Sequence, residues 1–126
     1  MPIVTVITSV PACKIPPGLD DKMITAVSTA FKKPEKAVLL NLIADAHIVR
    51  GGDYKQAYGA HIVIAAGKQA LGVPHNEVYA KNLTDVVHQQ LNIDLERILI
   101  TFHGLDSNYI AMRGRTFAHI MNVHKH

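Results

Sequence analysis

Residues 19–44 read LDDKMITAVSTAFKKPEKAVLLNLIA, in which a helical pattern is followed by a strand pattern across a short proline-containing turn. Apolar side chains recur at helical spacing over residues 19–31, with two aspartates in the first turn and two lysines at the end. Pro34 discourages continuation of the helix, and residues 38–44 are almost uninterruptedly apolar. A helix that leads into such a strand is typical of a β-α-β unit.

The same order is predicted on both sides of this stretch. Residues 3–10 are rich in Val, Ile and Thr and predict the strand that precedes the first helix. A second unit follows, with a strand at 61–66, a helix from about Asn76 to Leu91 and a strand at 97–103. Asn76 is a suitable N-cap for that helix.

Acid-base pairs at matching places indicate an internal duplication. Glu35-Lys36 precedes the second strand, as Glu96-Arg97 precedes the fourth. Each half predicts two parallel strands joined by a right-handed helical crossover. The predicted fold class is therefore α/β, with duplicated β-α-β units forming a four-stranded mixed sheet and two helices on one face.

Two segments lie outside this framework. RGGD at 50–53 predicts a turn, and it lacks the Lys-Ser/Thr step of a phosphate-binding loop. Residues 116–126 predict a short strand that then frays, so we assign a domain to residues 1–118 and a tail to residues 119–126.

The strands predict an oligomer. The second, third and fourth strands carry apolar side chains in both alternating sets, and such strands need cover on both faces. Two helices cover one face only, and no sequence remains for another layer. Another copy of the chain is therefore expected to cover the second face.

Composition excludes several classes of function. The chain has 126 residues, enough for one domain, and 48% of them are hydrophobic. A net charge of +3 without a dense basic run argues against nucleic acid binding, and no apolar run is long enough to span a membrane. The single cysteine and eight histidines form no metal-ligand pattern, and we expect neither metal nor cofactor. The first residues do not have the pattern of a signal peptide.

Several short strings occur together in an informative order. They are the MP start, PACKIPPGLDDKM (11–23), KKPE (32–35), AAGK (65–68), ERILITFHGLDSNYI (96–110) and RTFA (115–118). Through them the sequence resembles the macrophage migration inhibitory factor and D-dopachrome tautomerase family over roughly residues 1–118. The segment 96–107 looks closer to the D-dopachrome tautomerase branch.

The resemblance implies a homotrimer of β-α-β repeats whose sites lie between subunits. It also implies that Met1 is removed and that Pro2 becomes the catalytic base for keto-enol tautomerisation of substrates such as phenylpyruvate or dopachrome derivatives. Animal members of this family also act as cytokines through cell-surface receptors.

Chemistry gives Pro2 a reason for this role. While Met1 remains, the Pro2 nitrogen belongs to a tertiary amide. After Met1 is removed, it is a secondary amine, and burial or a nearby lysine would bring its pKa towards working pH. The alternative is that Pro2 only begins an edge strand, where a missing N–H does no harm.

Two further positions match substrate-binding positions of the family. By resemblance, Lys33 holds the substrate carboxylate and the backbone N–H of Ala66 binds substrate. A compact ammonium suits a carboxylate and an enolate-like charge. The alternative for Lys33 is a charge at the helix end, which Lys32 supplies equally well.

Four more residues, Leu99, Thr101, Ile110 and Phe117, match pocket-lining positions, and for these core packing is an equal alternative. The migration inhibitory factor branch has a tyrosine where this chain has Leu99 and an asparagine where it has Thr101. The loss of the tyrosine hydroxyl puts efficient handling of the usual substrates in doubt. It does not affect the proposed base.

The sequence thus predicts a cofactor-independent keto-enol tautomerase, an isomerase of small aromatic 2-oxo acids. The rival is a cytokine-like, receptor-binding protein with a vestigial tautomerase pocket, and a structural oligomer with neither role is a third possibility. The expected location is the cytoplasm, or outside the cell after secretion without a signal peptide.

Overall fold

The computed structural model describes residues 1–52 and 57–125, the last three of these by their backbone only. The elements, in chain order, are β1 (Ile3–Thr8), α1 (Leu19–Phe31), β2 (Leu39–Ile43), β3 (Ala60–Gly67), α2 (His75–Leu91), β4 (Ile98–Leu105), β5 (Ala111–Met112), β6 (Arg115–Thr116) and α3 (Phe117–Lys125).

The main sheet confirms the predicted fold. Its four strands lie in the order β2-β1-β3-β4. β1 is parallel to β2, and β3 is parallel to β4, as a helical crossover requires in each half. β1 and β3 are antiparallel at the centre, so the sheet is mixed.

The two halves correspond closely, with one correction. Each helix ends at a residue with positive φ, Lys32 and Asn92, and each then passes through a short 3-10 turn into a strand. The turns span Glu35–Ala37 and Leu95–Arg97. Glu35 therefore corresponds to Leu95, and the sequence pairing of Glu35-Lys36 with Glu96-Arg97 is one residue out of step.

The core lies between the helices and one face of the sheet. Each helix buries apolar side chains four residues apart, namely Leu19, Met23, Val27 and Phe31 on α1 and Tyr79, Leu83, Val87 and Leu91 on α2. The sheet contributes alternate residues such as Val4, Val6, Ile62 and Ile64, which are fully buried. The Phe31 and Tyr79 rings stack with their centroids 3.9 Å apart, joining the two halves.

The other face of the sheet is uncovered in the single chain. Leu39 and Ile43 on β2 are 49% and 48% exposed, and Leu99 on β4 is 62% exposed. We call this surface, formed by the outward residues of β1 to β4, the open face. Large apolar side chains left in water on a sheet face indicate a surface that another molecule covers.

Some local predictions were wrong. Asn76 is not the N-cap of α2, because Pro74 holds that position and the Asn76 side chain instead accepts the Gly72 N–H at 3.0 Å. Residues 117–125 form α3, not a frayed strand end. The turn predicted at 50–53 is present at Gly51 and Gly52, while Asp53 lies outside the described residues. The division between a domain and a tail at residue 118 stays a prediction.

Thr8 gives a stability prediction. Its fully buried hydroxyl donates to the Gly59 carbonyl at 2.8 Å and accepts the Val10 N–H at 3.2 Å. Thr8→Val keeps the shape of the side chain but removes the hydroxyl. The Gly59 carbonyl still accepts the Ser9 N–H, whereas the Val10 N–H is left without this acceptor. We expect the free energy of unfolding in urea to fall by about 1–3 kcal/mol. Thr8→Ser should lose less, and equal losses would contradict this assignment.

Candidate active site

The start of β1 and the end of α1 meet at one end of the molecule. The left-handed turn at Lys32 ends α1, and the following N–H, of Lys33, donates to the Ser28 carbonyl at 3.1 Å. The N–H of Leu39 donates to the Pro2 carbonyl at 3.1 Å, which ties the chain start to β2. Pro2 is buried, and Lys33 is exposed beside it.

A cavity of about 210 Å³ opens between these two residues. It is lined by five of the residues predicted from the sequence, which are Pro2, Lys33, Ala66, Ile110 and Phe117. The rest of its wall is formed by Met1, Phe31, Gly67, Gln69, Ala70, Leu105, Ser107 and Met121. Aromatic and aliphatic groups dominate the lining, with one cation at its edge.

Three chain segments bring the predicted residues together. The pairing of β1 with β3 ends where Ile3 lies opposite Ala65, and Ala66 is the next residue of β3. Ile110 and Phe117 flank the β5–β6 hairpin, and the Phe117 N–H donates to the Ile110 carbonyl at 2.9 Å. The cavity is thus built on the sheet end and closed by the segment after β4.

The surroundings of the cavity lower the pKa of an amine at the start of the chain. The pKa of the Met1 amino group is lowered from its ordinary value, first because the group is partly buried and second because the Lys33 ammonium is near. Pro2 is buried and shares the cavity with Lys33, so burial and a nearby ammonium are both present at its position.

The structure also bears on the alternatives for Pro2 and Lys33. β1 lies between β2 and β3, so Pro2 does not begin an edge strand. Lys32 is the residue at the helix end, and Lys33 lies beyond it on the cavity. The proposed roles of these residues, and of Ala66, stay predictions.

Leu99 and Thr101 are not brought to this cavity within one chain. Both lie on the open face, where the Thr101 hydroxyl is 3.0 Å from His61 Nε2 and 3.1 Å from His103 Nε2. Leu99 instead borders a larger depression of about 460 Å³ at the start of β4. That depression contains neither Pro2 nor Lys33, so the smaller cavity is the better candidate site.

The described residues also bear on metal binding and on membrane insertion. Among residues 1–52 and 57–125, no three His, Cys, Asp or Glu side chains are grouped as metal ligands. His124 and His126 lie outside the described side chains. No helix in the described part of the chain is long and apolar enough to cross a membrane.

Sequence reasoning missed several wall residues. Phe31 belongs to the apolar helical pattern of residues 19–31, which predicts packing and not a cavity wall. Gln69, Ser107 and Met121 belong to none of the predicted sites. Met121 fell in the segment predicted to fray, although Phe117, Ile120 and Met121 have helical spacing that could have revealed α3.

Comparison with known proteins fits this geometry. The family described as "Macrophage migration inhibitory factor (MIF)" matches residues 1–118. The chain belongs to this family. As a MIF-family member, it is 30% identical over 118 residues to macrophage migration inhibitory factor of Xenopus tropicalis, covering 94% of this chain and all of that one. It is 25% identical over 114 residues to D-dopachrome decarboxylase of Mus musculus, covering 90% and 95% of the two chains.

Solved structures of MIF proteins have the same fold. Macrophage migration inhibitory factor from Oncomelania hupensis matches with a TM-score of 0.82 at 24% identity, covering 90% of this chain and 95% of that one. The homologue from Prochlorococcus marinus matches with a TM-score of 0.82 at 21% identity, covering 91% and 98%. The resemblance inferred from the sequence strings is confirmed, and so is the fold class.

Proposed function

We propose that this MIF-family chain is a keto-enol tautomerase of small aromatic 2-oxo acids, with Pro2 as its base after removal of Met1. The observation that carries the proposal is the cavity itself, where a buried N-terminal proline, a lysine and an apolar wall come together. The lowered pKa of the Met1 amino group, which lies on the same cavity, supports the same assignment.

The reaction needs one group that accepts and returns a proton. The uncharged Pro2 nitrogen takes a proton from C3 of the 2-oxo acid, and electron density moves onto the C2 oxygen. A proton is then delivered to that oxygen, which gives the enol, and the reverse sequence gives the ketone. An amine with a lowered pKa is suited to both steps, because neither protonation state is strongly favoured near neutral pH.

The rest of the cavity binds the substrate. The Lys33 ammonium pairs with the carboxylate and stabilises charge on the enolate, and the backbone N–H of Ala66 assists. Phe31, Ile110 and Phe117 surround an aromatic ring. The name of the mouse relative, D-dopachrome decarboxylase, says that the mouse protein removes a carboxylate group from D-dopachrome, and a site that accepts a carboxylate is consistent with this proposal.

The active form is a homotrimer in which a neighbouring copy covers the open face. The exposed Leu39, Ile43 and Leu99 support this, since a sheet face of that kind needs cover. Leu99 and Thr101, which lie away from Pro2 in their own chain, then complete the cavity of the adjacent copy.

The second candidate is a receptor-binding, cytokine-like protein whose cavity has no physiological turnover. It is supported by the relatives named macrophage migration inhibitory factor, a name that describes an effect on cells. The two candidates differ in what Pro2→Gly does, because turnover requires the amine and surface binding of a cell-surface receptor does not.

Lys33→Met tests the proposal on the processed chain with phenylpyruvate. Loss of the ammonium should raise KM about 10- to 100-fold. It should also raise the pKa of the Pro2 amine, because a neighbouring positive charge no longer disfavours the ammonium form. The base acts when unprotonated, so the rise of kcat/KM with pH should move to higher pH.

Lys32→Met is the matched control, since Lys32 is the preceding residue and does not line the cavity. It should leave KM and the pH profile close to those of the unaltered chain. Equal effects of the two substitutions, or no turnover of any aromatic 2-oxo acid by the processed chain, would contradict the proposed function.

A further inference from the structure

The C-terminal helix α3 (Phe117–Lys125) reaches the candidate site. It continues past residue 118, where the match to the MIF family ends. Its start is held firmly: the Ala118 N–H donates to the Ser107 carbonyl at 3.0 Å, and the Thr116 hydroxyl accepts the His119 N–H at 3.1 Å. The second of these is an N-terminal cap, which fixes where the helix begins.

This start directs one helix face towards the cavity. Phe117 and Met121 are four residues apart, so they lie one above the other on the same face, and both line the cavity. Met121 is 47% exposed although it is apolar, because it borders an open space and not a packed core. Its thioether can contact a ligand without first leaving another partner in the core.

We propose that Met121 is a specificity-determining residue that contacts the aromatic ring of the bound 2-oxo acid and limits its size. The proposal rests on the function proposed above. A methionine side chain is flexible and polarisable, and its sulfur makes favourable contacts with aromatic rings. The cavity measures about 210 Å³ with Met1 on its wall, and Met121 stays on that wall when Met1 is removed, so its side chain restricts the size of the ring that fits.

Substrate selectivity tests the proposal. The ratio of kcat/KM for phenylpyruvate to that for the larger indole-3-pyruvate is measured for the processed chain, Met121→Ala and Met112→Ala. Shortening Met121 should lower this ratio about 10-fold or more, because it removes a ring contact and opens space for the larger substrate. Met112 is exposed on β5 and does not line the cavity, so its substitution should leave the ratio unchanged. An unchanged ratio in Met121→Ala overturns the proposal.

A binding measurement separates this proposal from the proposed function. Cinnamate, an aromatic carboxylate that cannot enolise, is titrated into the processed chain with ¹³C-labelled methionine methyl groups. The Met121 methyl signal should shift, while those of the buried Met23 and of Met112, which does not line the cavity, should stay in place. A shift without turnover of any 2-oxo acid upholds the contact and refutes the enzyme. If 2-oxo acids are turned over but the Met121 signal does not shift, the Met121 contact is overturned and the proposed enzyme activity stands. If no methionine signal shifts, the Met121 contact is overturned as well.

Discussion

Pro2→Gly is expected to lower kcat for phenylpyruvate about 100- to 10 000-fold. Glycine also permits removal of Met1, so both chains carry a free terminal amine. The glycine amine is no longer held by a ring, and the missing side chain lets water reach it, which raises its pKa towards the ordinary value. Turnover is measured by exchange of the C3 protons of phenylpyruvate with D₂O.

The control for this substitution is the chain that keeps Met1. Its Pro2 nitrogen is an amide, so it should be as inactive as Pro2→Gly, although every side chain of the cavity is present. Intact mass identifies which form is assayed. If Pro2→Gly retains turnover within a few-fold of the processed chain, Pro2 is not the base. If it loses turnover but keeps receptor binding, both activities belong to the protein and use different surfaces.

Leu99→Asp should both dissociate the assembly and abolish turnover. Leu99 is 62% exposed in the single chain and lies on the open face. In a trimer the aspartate would be buried without a partner charge at each interface, at a cost of several kcal/mol. Sedimentation velocity should show a species of 13.8 kDa in place of one three times that mass.

Val78→Asp is the matched control for this prediction. Val78 is also about half exposed, but it lies on α2, away from the open face. It should keep the trimer mass and normal turnover. A monomeric unaltered chain, or a Leu99→Asp chain that stays trimeric and active, would contradict the assembly.

Much of the fold could be predicted from local patterns. The apolar stripes of α1 and α2 reflect burial against one face of the sheet, so their helical periodicity is unambiguous. The almost uninterrupted apolar strands reflect a sheet that needs cover on both faces. The end effects could not be predicted in the same way. Asn76 is a good N-cap by type, but the N-cap of α2 is Pro74, two residues earlier, and the Asn76 side chain accepts the Gly72 N–H of the preceding turn. α3 could have been predicted from the helical spacing of Phe117, Ile120 and Met121, although the segment is only nine residues long.

Part of the candidate site was predicted through the family resemblance, and the fold explains why those residues meet. Pro2 and Lys33 come together because the end of α1 and the start of β1 meet in a β-α-β unit, and Ala66 joins them because β3 is antiparallel to β1 with Ala65 opposite Ile3. Leu99 and Thr101 do not meet them in one chain, because β4 is on the far side of β3 and turns these side chains onto the open face. A site shared between copies is invisible to the periodicity of a single chain.

The central claim is that the Pro2 amine is the base, and titration of that nitrogen tests it most directly. The processed chain is labelled with ¹⁵N-proline, the Pro2 signal is followed as a function of pH, and kcat/KM for phenylpyruvate is measured over the same range. The Pro2 nitrogen should lose its proton below the ordinary pKa of a terminal amine, about 7.7–8.0, and kcat/KM should rise at the same pH. A profile that rises at a pH where Pro2 does not titrate would contradict it.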